Sequence, residues 1–277
     1  MKELTARLEG ANVESLGELK EIRGGVSIPS GKIEAAIRSV VDRPRADALT
    51  VIGLQFKENR ERAYARADEL AKTFVLQSLI PVKVLTTYGE TIELQSGTPE
   101  RRDHDAMQNV LMGMGIVDQM LVEIFAKLRS DGLTVGEIMD ALRACPFFTP
   151  EGLELIESGL DRWFADDHVS AIHLLVPQIE AVLRALLKAL RIPVTRVSES
   201  HVIVRLLDAL LRLAAEAGLD DEMVFTLEAV LTDKGRNVRN RVAHGWIQKK
   251  DCTATLAARI VQLLLMLATL RMEEVKT

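Results

Sequence analysis

Between Leu256 and Leu270 the aliphatic residues Leu256, Ile260, Val261, Leu263, Leu264, Leu265, Leu267 and Leu270 wrap most of a helix's circumference. A surface helix needs only one apolar stripe. A helix apolar nearly all round is either central in a bundle or shared with a partner chain. The densest part, Ile260 to Leu270, is interrupted by Gln262 and Thr269 and is too short to span a bilayer, so no membrane partner is expected. The rest of the sequence agrees. It is 48% hydrophobic but only 4% aromatic, which favours aliphatic helix packing over a β-sandwich and predicts an all-α class.

Helix punctuation divides the chain. A first helix is expected through Leu4, Leu8, Val13, Leu16, Leu19 and Ile22, then a loop at Pro29-Ser30-Gly31. A short helix around Ile33 to Val40 and a long one between Ala46 and Ile80 follow. Val82–Leu85 and Thr91–Leu94, either side of Tyr88-Gly89, read as a small β-hairpin. Ser96 to Arg102 reads as loop before a helix from about Asp105 to Leu128. Thr134-Val135-Gly136-Glu137 is a capping box, in which Thr covers a free N–H and Glu reaches back. Thr149-Pro150-Glu151 starts another helix, with Pro where its missing N–H does no harm. The expected boundary falls here: a mostly helical domain over residues 1–148, then a helical bundle over 149–277. In the second half helices are expected near Pro150–Ala165, His168–Leu190, His201–Ala217, Asp221–Leu231, Asp233–His244 and Thr253–Met272.

Chemistry concentrates near the C-terminus, at Arg239-Asn240-Arg241-Val242-Ala243-His244-Gly245. From Lys234 to Lys250 there are six Lys/Arg and no Asp or Glu, in a chain of formal charge −5. A local cationic spot on an acidic protein suits a phosphate-seeking site better than bulk adhesion to nucleic acid. The candidates to bind phosphate are Arg236, Arg241, Lys249 and Lys250. A permanently charged Arg beside a His that titrates near neutrality suits phosphodiester chemistry without a metal. On a helix Asn240 and His244 lie about 40° apart, whereas Arg239 is about 140° from His244. Gly245 is a suitable C-terminal cap.

Arg239-Asn240 followed by His244 resembles the Arg-polar-x-x-x-His signature of the HEPN superfamily (higher eukaryotes and prokaryotes nucleotide-binding domains). More narrowly, it is similar to a largely bacterial helical family with an RNxxxH motif. The resemblance covers roughly Thr149 to Thr277. It implies a bundle that pairs as a homodimer, and in many members a metal-independent endoribonuclease of toxin or phage-defence type. On that analogy His244 moves protons during 2′-hydroxyl attack, Arg239 neutralises phosphoryl charge and Asn240 orients substrate or imidazole.

Glu180 and Arg184 are spaced for an i,i+4 ion pair, and His173, Pro177, Glu180 and Arg184 share one helical stripe. They are candidates to position the motif from a neighbouring helix. Asp166, Asp167, His168 and His173 fit no familiar ligand spacing, and no metal or cofactor is expected. Cys145 and Cys252 stand far apart with no CxxC, and the first residues lack a signal peptide's apolar core; both point to the cytoplasm. The expected partner is RNA or a nucleotide phosphate. Two other readings compete with the nuclease: a module that holds RNA or a nucleotide without turnover, and a structural helical interaction domain.

Overall fold

The computed structural model describes residues 30–85, 91–198 and 201–271. The helix expected through Leu4 to Ile22 and the turn at Tyr88-Gly89 lie outside these residues. The elements run α1 (Ser30–Val41), α2 (Arg45–Gln55), α3 (Arg60–Thr73), α4 (Val75–Leu79), β1 (Val82–Leu85), β2 (Thr91–Leu94), α5 (Pro99–Ser130) and α6 (Val135–Arg143). They continue with α7 (Pro150–Phe164), α8 (His168–Ala189), β3 (Thr195–Ser198), β4 (His201–Val204), α9 (Leu207–Glu216), α10 (Asp221–Leu231) and α11 (Val238–Ala243). A 3₁₀ turn at Lys249–Asp251 then leads into α12 (Ala254–Leu267). The described residues are mostly helical, with two small two-stranded antiparallel sheets among them.

Local chemistry explains most of the boundaries. The Thr134 hydroxyl accepts from the Glu137 N–H while Glu137 reaches back, opening α6. Thr149 caps α7 with Pro150 at its first position. β1 and β2 pair in the register Val82 to Leu94 and Leu85 to Thr91. The same cap chemistry corrects one expectation: Thr98 accepts from the Arg101 N–H, so α5 begins at Pro99 and takes in residues read as loop.

Two expected helices are absent as such. The long helix from Ala46 to Ile80 is broken at 56–59, where Asn59 caps α3 by accepting from the Arg62 N–H at 2.7 Å. There the Glu58 N–H donates to Thr226 Oγ1 at 2.7 Å and the Phe56 carbonyl accepts from Arg259, so tertiary partners satisfy the interrupted backbone. The helix expected over His201–Ala217 is instead strand β4 followed by α9. Its alternating, β-branched Val202-Ile203-Val204 pairs with Thr195-Arg196-Val197.

One hydrophobic cluster runs from Val40 to Ala268 and crosses the boundary expected at 148/149. At its centre is α12, which packs against α2, α5, α6 and α8 and has every residue from Leu256 to Leu267 buried. Its apolar circumference is therefore covered by the chain itself and gives no ground for a partner. Gly53 lets α2 approach closely, since a Cβ there would lie 2.7 Å from the Leu265 carbonyl oxygen. By length and composition alone, α5 and α8 are apolar enough to cross a membrane; here both contribute residues to this core.

The centre also holds charge. Arg259 is fully buried; its Nε donates to Asp118 Oδ1 at 2.6 Å and its Nη1 to the Phe56 carbonyl at 2.9 Å. Asp118, 2% exposed, takes a second arginine, Arg236, on its other oxygen. Burying these charges is tolerable only because they are paired and hydrogen-bonded.

Candidate functional site

The motif helix α11 is shaped by what flanks it. Asn237 adopts a left-handed φ of 54°, which Asn tolerates better than most residues. The helix expected from Asp233 therefore starts only at Val238. The Asn240 amide donates to Asn237 Oδ1 at 2.8 Å, tying the motif to its entry turn. At the other end Gly245 takes φ +69°, the Gly245 N–H donates to the Val242 carbonyl at 3.3 Å and the Trp246 N–H to the Arg241 carbonyl at 2.8 Å. That pair of bonds is a Schellman cap. It turns the chain back so that Trp246 stacks on His244, ring centres 4.7 Å apart and planes 29° from parallel.

Arg239 points to α8. Its Nε donates to Glu180 Oε2 at 2.8 Å and its Nη1 to Asn240 Oδ1 at 3.0 Å. Glu180 Oε1 accepts from Arg184 Nη2, which also donates to the Arg205 carbonyl at 2.6 Å. One carboxylate thus holds two guanidinium groups side by side. They border an open cleft of about 310 Å³ whose apolar wall includes Val176, Pro177 and Val242. Arg184 Nη1 is buried and has no hydrogen-bond partner.

The remaining candidates are spread more widely. His244 is exposed and caps α11, its N–H bonded to the Asn240 carbonyl at 2.9 Å. The cleft's lining reaches Ala243 and does not include His244. Among the described residues no hydrogen bond joins Arg239 to His244, as the angle between them on the helix anticipates. The expected single cleft lined by both is therefore formed by Arg239 with α8, without His244 in its lining. His173 Nδ1 donates to the Val169 carbonyl of its own helix at 2.8 Å, and among the described residues His173 has no bond to the motif. Arg236 faces inward to Asp118 and Arg241 is paired with Asp251, so neither stands ready for phosphate. Lys249 and Lys250 are exposed on the 3₁₀ turn. Both cysteines are buried, and burial raises their thiol pKa values, which suits packing more than reactivity.

Sequence reasoning missed Arg205, Asn237 and Trp246. Trp246 carried a usable signal: a large apolar residue directly after a capping Gly folds back over its helix end. Arg205 carried none, because its approach to Arg184 depends on where the β3–β4 hairpin places the chain. Among the described residues no group of three His, Cys, Asp or Glu is arranged to hold a metal ion. No family model, curated protein or solved structure matches this chain, so the site is read from its own geometry.

Proposed function

We propose that this cleft binds an RNA phosphodiester and that the protein is a metal-independent endoribonuclease. The observation that carries the reading is the Glu180-held pair Arg184 and Arg239 lining an open cleft. Two guanidinium groups against one carboxylate leave a net positive charge, and the planar fork suits phosphate oxygens. In the reaction the 2′-oxygen forms a bond to phosphorus and the bond from phosphorus to the 5′-oxygen breaks. The 2′-hydroxyl proton is lost to a base and the leaving oxygen gains one from an acid, while Arg239 faces the charge growing on the phosphoryl oxygens. His244 supplies one of the two proton-moving groups. One motif offers one imidazole, so a second copy of the chain is the natural source of the other, and the working form is a homodimer.

The test uses mixed RNA with chelator present. Wild type is expected to cleave, and His244→Ala to lose about 10²–10⁴-fold in rate while remaining folded. Arg239→Lys keeps the charge but loses the fork, and is expected to stay impaired. Cleavage abolished by chelator, or His244→Ala as active as wild type, ends this mechanism. The separation of Arg239 from His244 within one chain favours a second reading, binding of RNA or a nucleotide without turnover. RNA that is retained but never cut between pH 5 and 9 would establish it.

A further inference from the structure

Beyond the cleft, the Schellman turn creates a second surface. Trp246 is stacked on His244, yet 41% of it remains exposed, in contrast to Trp163, which is 3% exposed and packed against Phe125 and Phe164. The Trp246 indole thus has partners and still keeps part of its surface in solvent at the end of α11. The 3₁₀ turn following it holds Lys249 and Lys250 in solvent, while Asp251 is turned back to Arg241 and to the Gln248 N–H at 2.9 Å. Across the cleft and this ridge, five cations (Arg184, Arg239, Arg241, Lys249, Lys250) face two carboxylates, Glu180 and Asp251. The combination is an aromatic face bordered by uncompensated positive charge, three residues along the chain from Ala243, which lines the cleft.

We propose that Trp246, Lys249 and Lys250 form a subsite for an unpaired nucleotide of single-stranded RNA, whose neighbouring phosphate lies in the Arg184–Arg239 cleft. This rests on the reading that the cleft holds an RNA phosphate. The indole selects single strands for a physical reason: a base can stack on a protein ring only after it leaves its own stack, which a duplex resists. The cleft makes the same demand. At about 310 Å³ it is at the lower end of small-ligand sites, fit for a nucleotide-sized group and not for a helix. The lysines contribute affinity without base preference, because they meet the backbone.

Fluorescence tests this directly. Of the two tryptophans Trp163 is buried, so quenching by RNA reports on Trp246. The full wild-type chain is titrated with a 2′-O-methyl oligouridylate of about 8 nucleotides, which lacks the attacking hydroxyl, leaves the His244–Trp246 stack intact and has a length within the usual single-strand footprint. A blunt RNA duplex serves as competitor. The single strand is expected to quench and the duplex to compete poorly. Trp246→Ala should weaken single-strand binding about 5- to 150-fold, the range for one lost stacked base, while Trp246→Phe retains most of it. Circular dichroism confirms that each variant is folded. Replacing Lys249 and Lys250 by Ala should lower the slope of log affinity against log salt by about 0.7 per lysine. If the single strand binds Trp246→Ala as tightly as the parent, or the duplex competes equally, the subsite is wrong although the cleft reading survives. If neither RNA binds the parent at all, the cleft reading itself fails.

Discussion

Asp118 and Glu180 are each gripped by two guanidinium groups, Asp118 by Arg236 and Arg259, Glu180 by Arg184 and Arg239. The composition is the same and the setting is not. The Asp118 and Arg259 side chains are 3% and 0% exposed, and the triad ties α5 and α12 to the turn before α11. The Glu180, Arg184 and Arg239 side chains are 13%, 21% and 21% exposed and border a cleft. In the interior each charge needs its partners simply to be tolerated, so the arginines are committed to holding helices together. At the cleft the carboxylate only orients its arginines, and part of each guanidinium remains for a ligand. Motif residues fall on both sides of this divide: Arg236 belongs to the first triad and Arg239 to the second.

Removing each carboxylate sharpens the contrast. Asp118→Ala leaves buried Arg259 without its hydrogen-bonded carboxylate, only the more distant Glu58 remaining at 3.8 Å, and is expected to cost about 3–5 kcal/mol in urea unfolding. A loss below about 1 kcal/mol would mean that water reaches the triad and the distinction collapses. Glu180→Gln should cost only about 1–2 kcal/mol, since its arginines are partly solvated. Its larger effect is on RNA: affinity should fall despite the gain in positive charge, because Arg239 loses the anchor at its Nε. A rise in affinity would show that charge alone, not placement, governs the cleft.

The smallest effect concerns Glu58, the half-buried neighbour 3.8 Å from Arg259. Burial is the main influence and raises its carboxyl above the ordinary 4.5, with Arg259 pulling the other way. A carboxyl raised in the folded state binds its proton more tightly there than when unfolded. Its contribution is therefore most favourable below pH 4.5 and declines as pH climbs through the raised value. Glu58→Gln should remove that decline. Unfolding midpoints compared from pH 4 to pH 7 should diverge from wild type in this sense, and a divergence of opposite sign would refute the assignment.

What the sequence revealed was decided by distance along the chain. Thr134 with Glu137, and Thr149 with Pro150, determine helix starts through atoms a few residues apart, and they were readable. So was the pairing of Glu180 with Arg184 one turn away. That Glu180 also holds Arg239 was only a suspicion, because the bond spans 59 residues. Arg259 is the extreme case: a lone cation in an apolar helix, it reaches Asp118 across 141 residues. The break at Phe56–Asn59 was hidden for the same reason, as Thr226 and Arg259 supply the groups that replace its helical bonds. The β3–β4 hairpin was misread although its signal was local, because helical periodicity was extended through a run of β-branched residues.

The central position of α12 also sets an order of events in the cell. It is the last described helix to be synthesised, yet α2, α5, α6 and α8 all pack on it. At about 5–20 residues per second, roughly ten to forty seconds passes between the synthesis of α2 and that of α12. Until then the faces of α2, α5 and α8 that it covers have no native cover, and the early helices wait as a sticky intermediate. Folding of this core is thus completed after translation of its final helix and does not keep pace with synthesis. A message that stalls before Ala254 would release a chain without its centre, one for chaperones and proteases to remove.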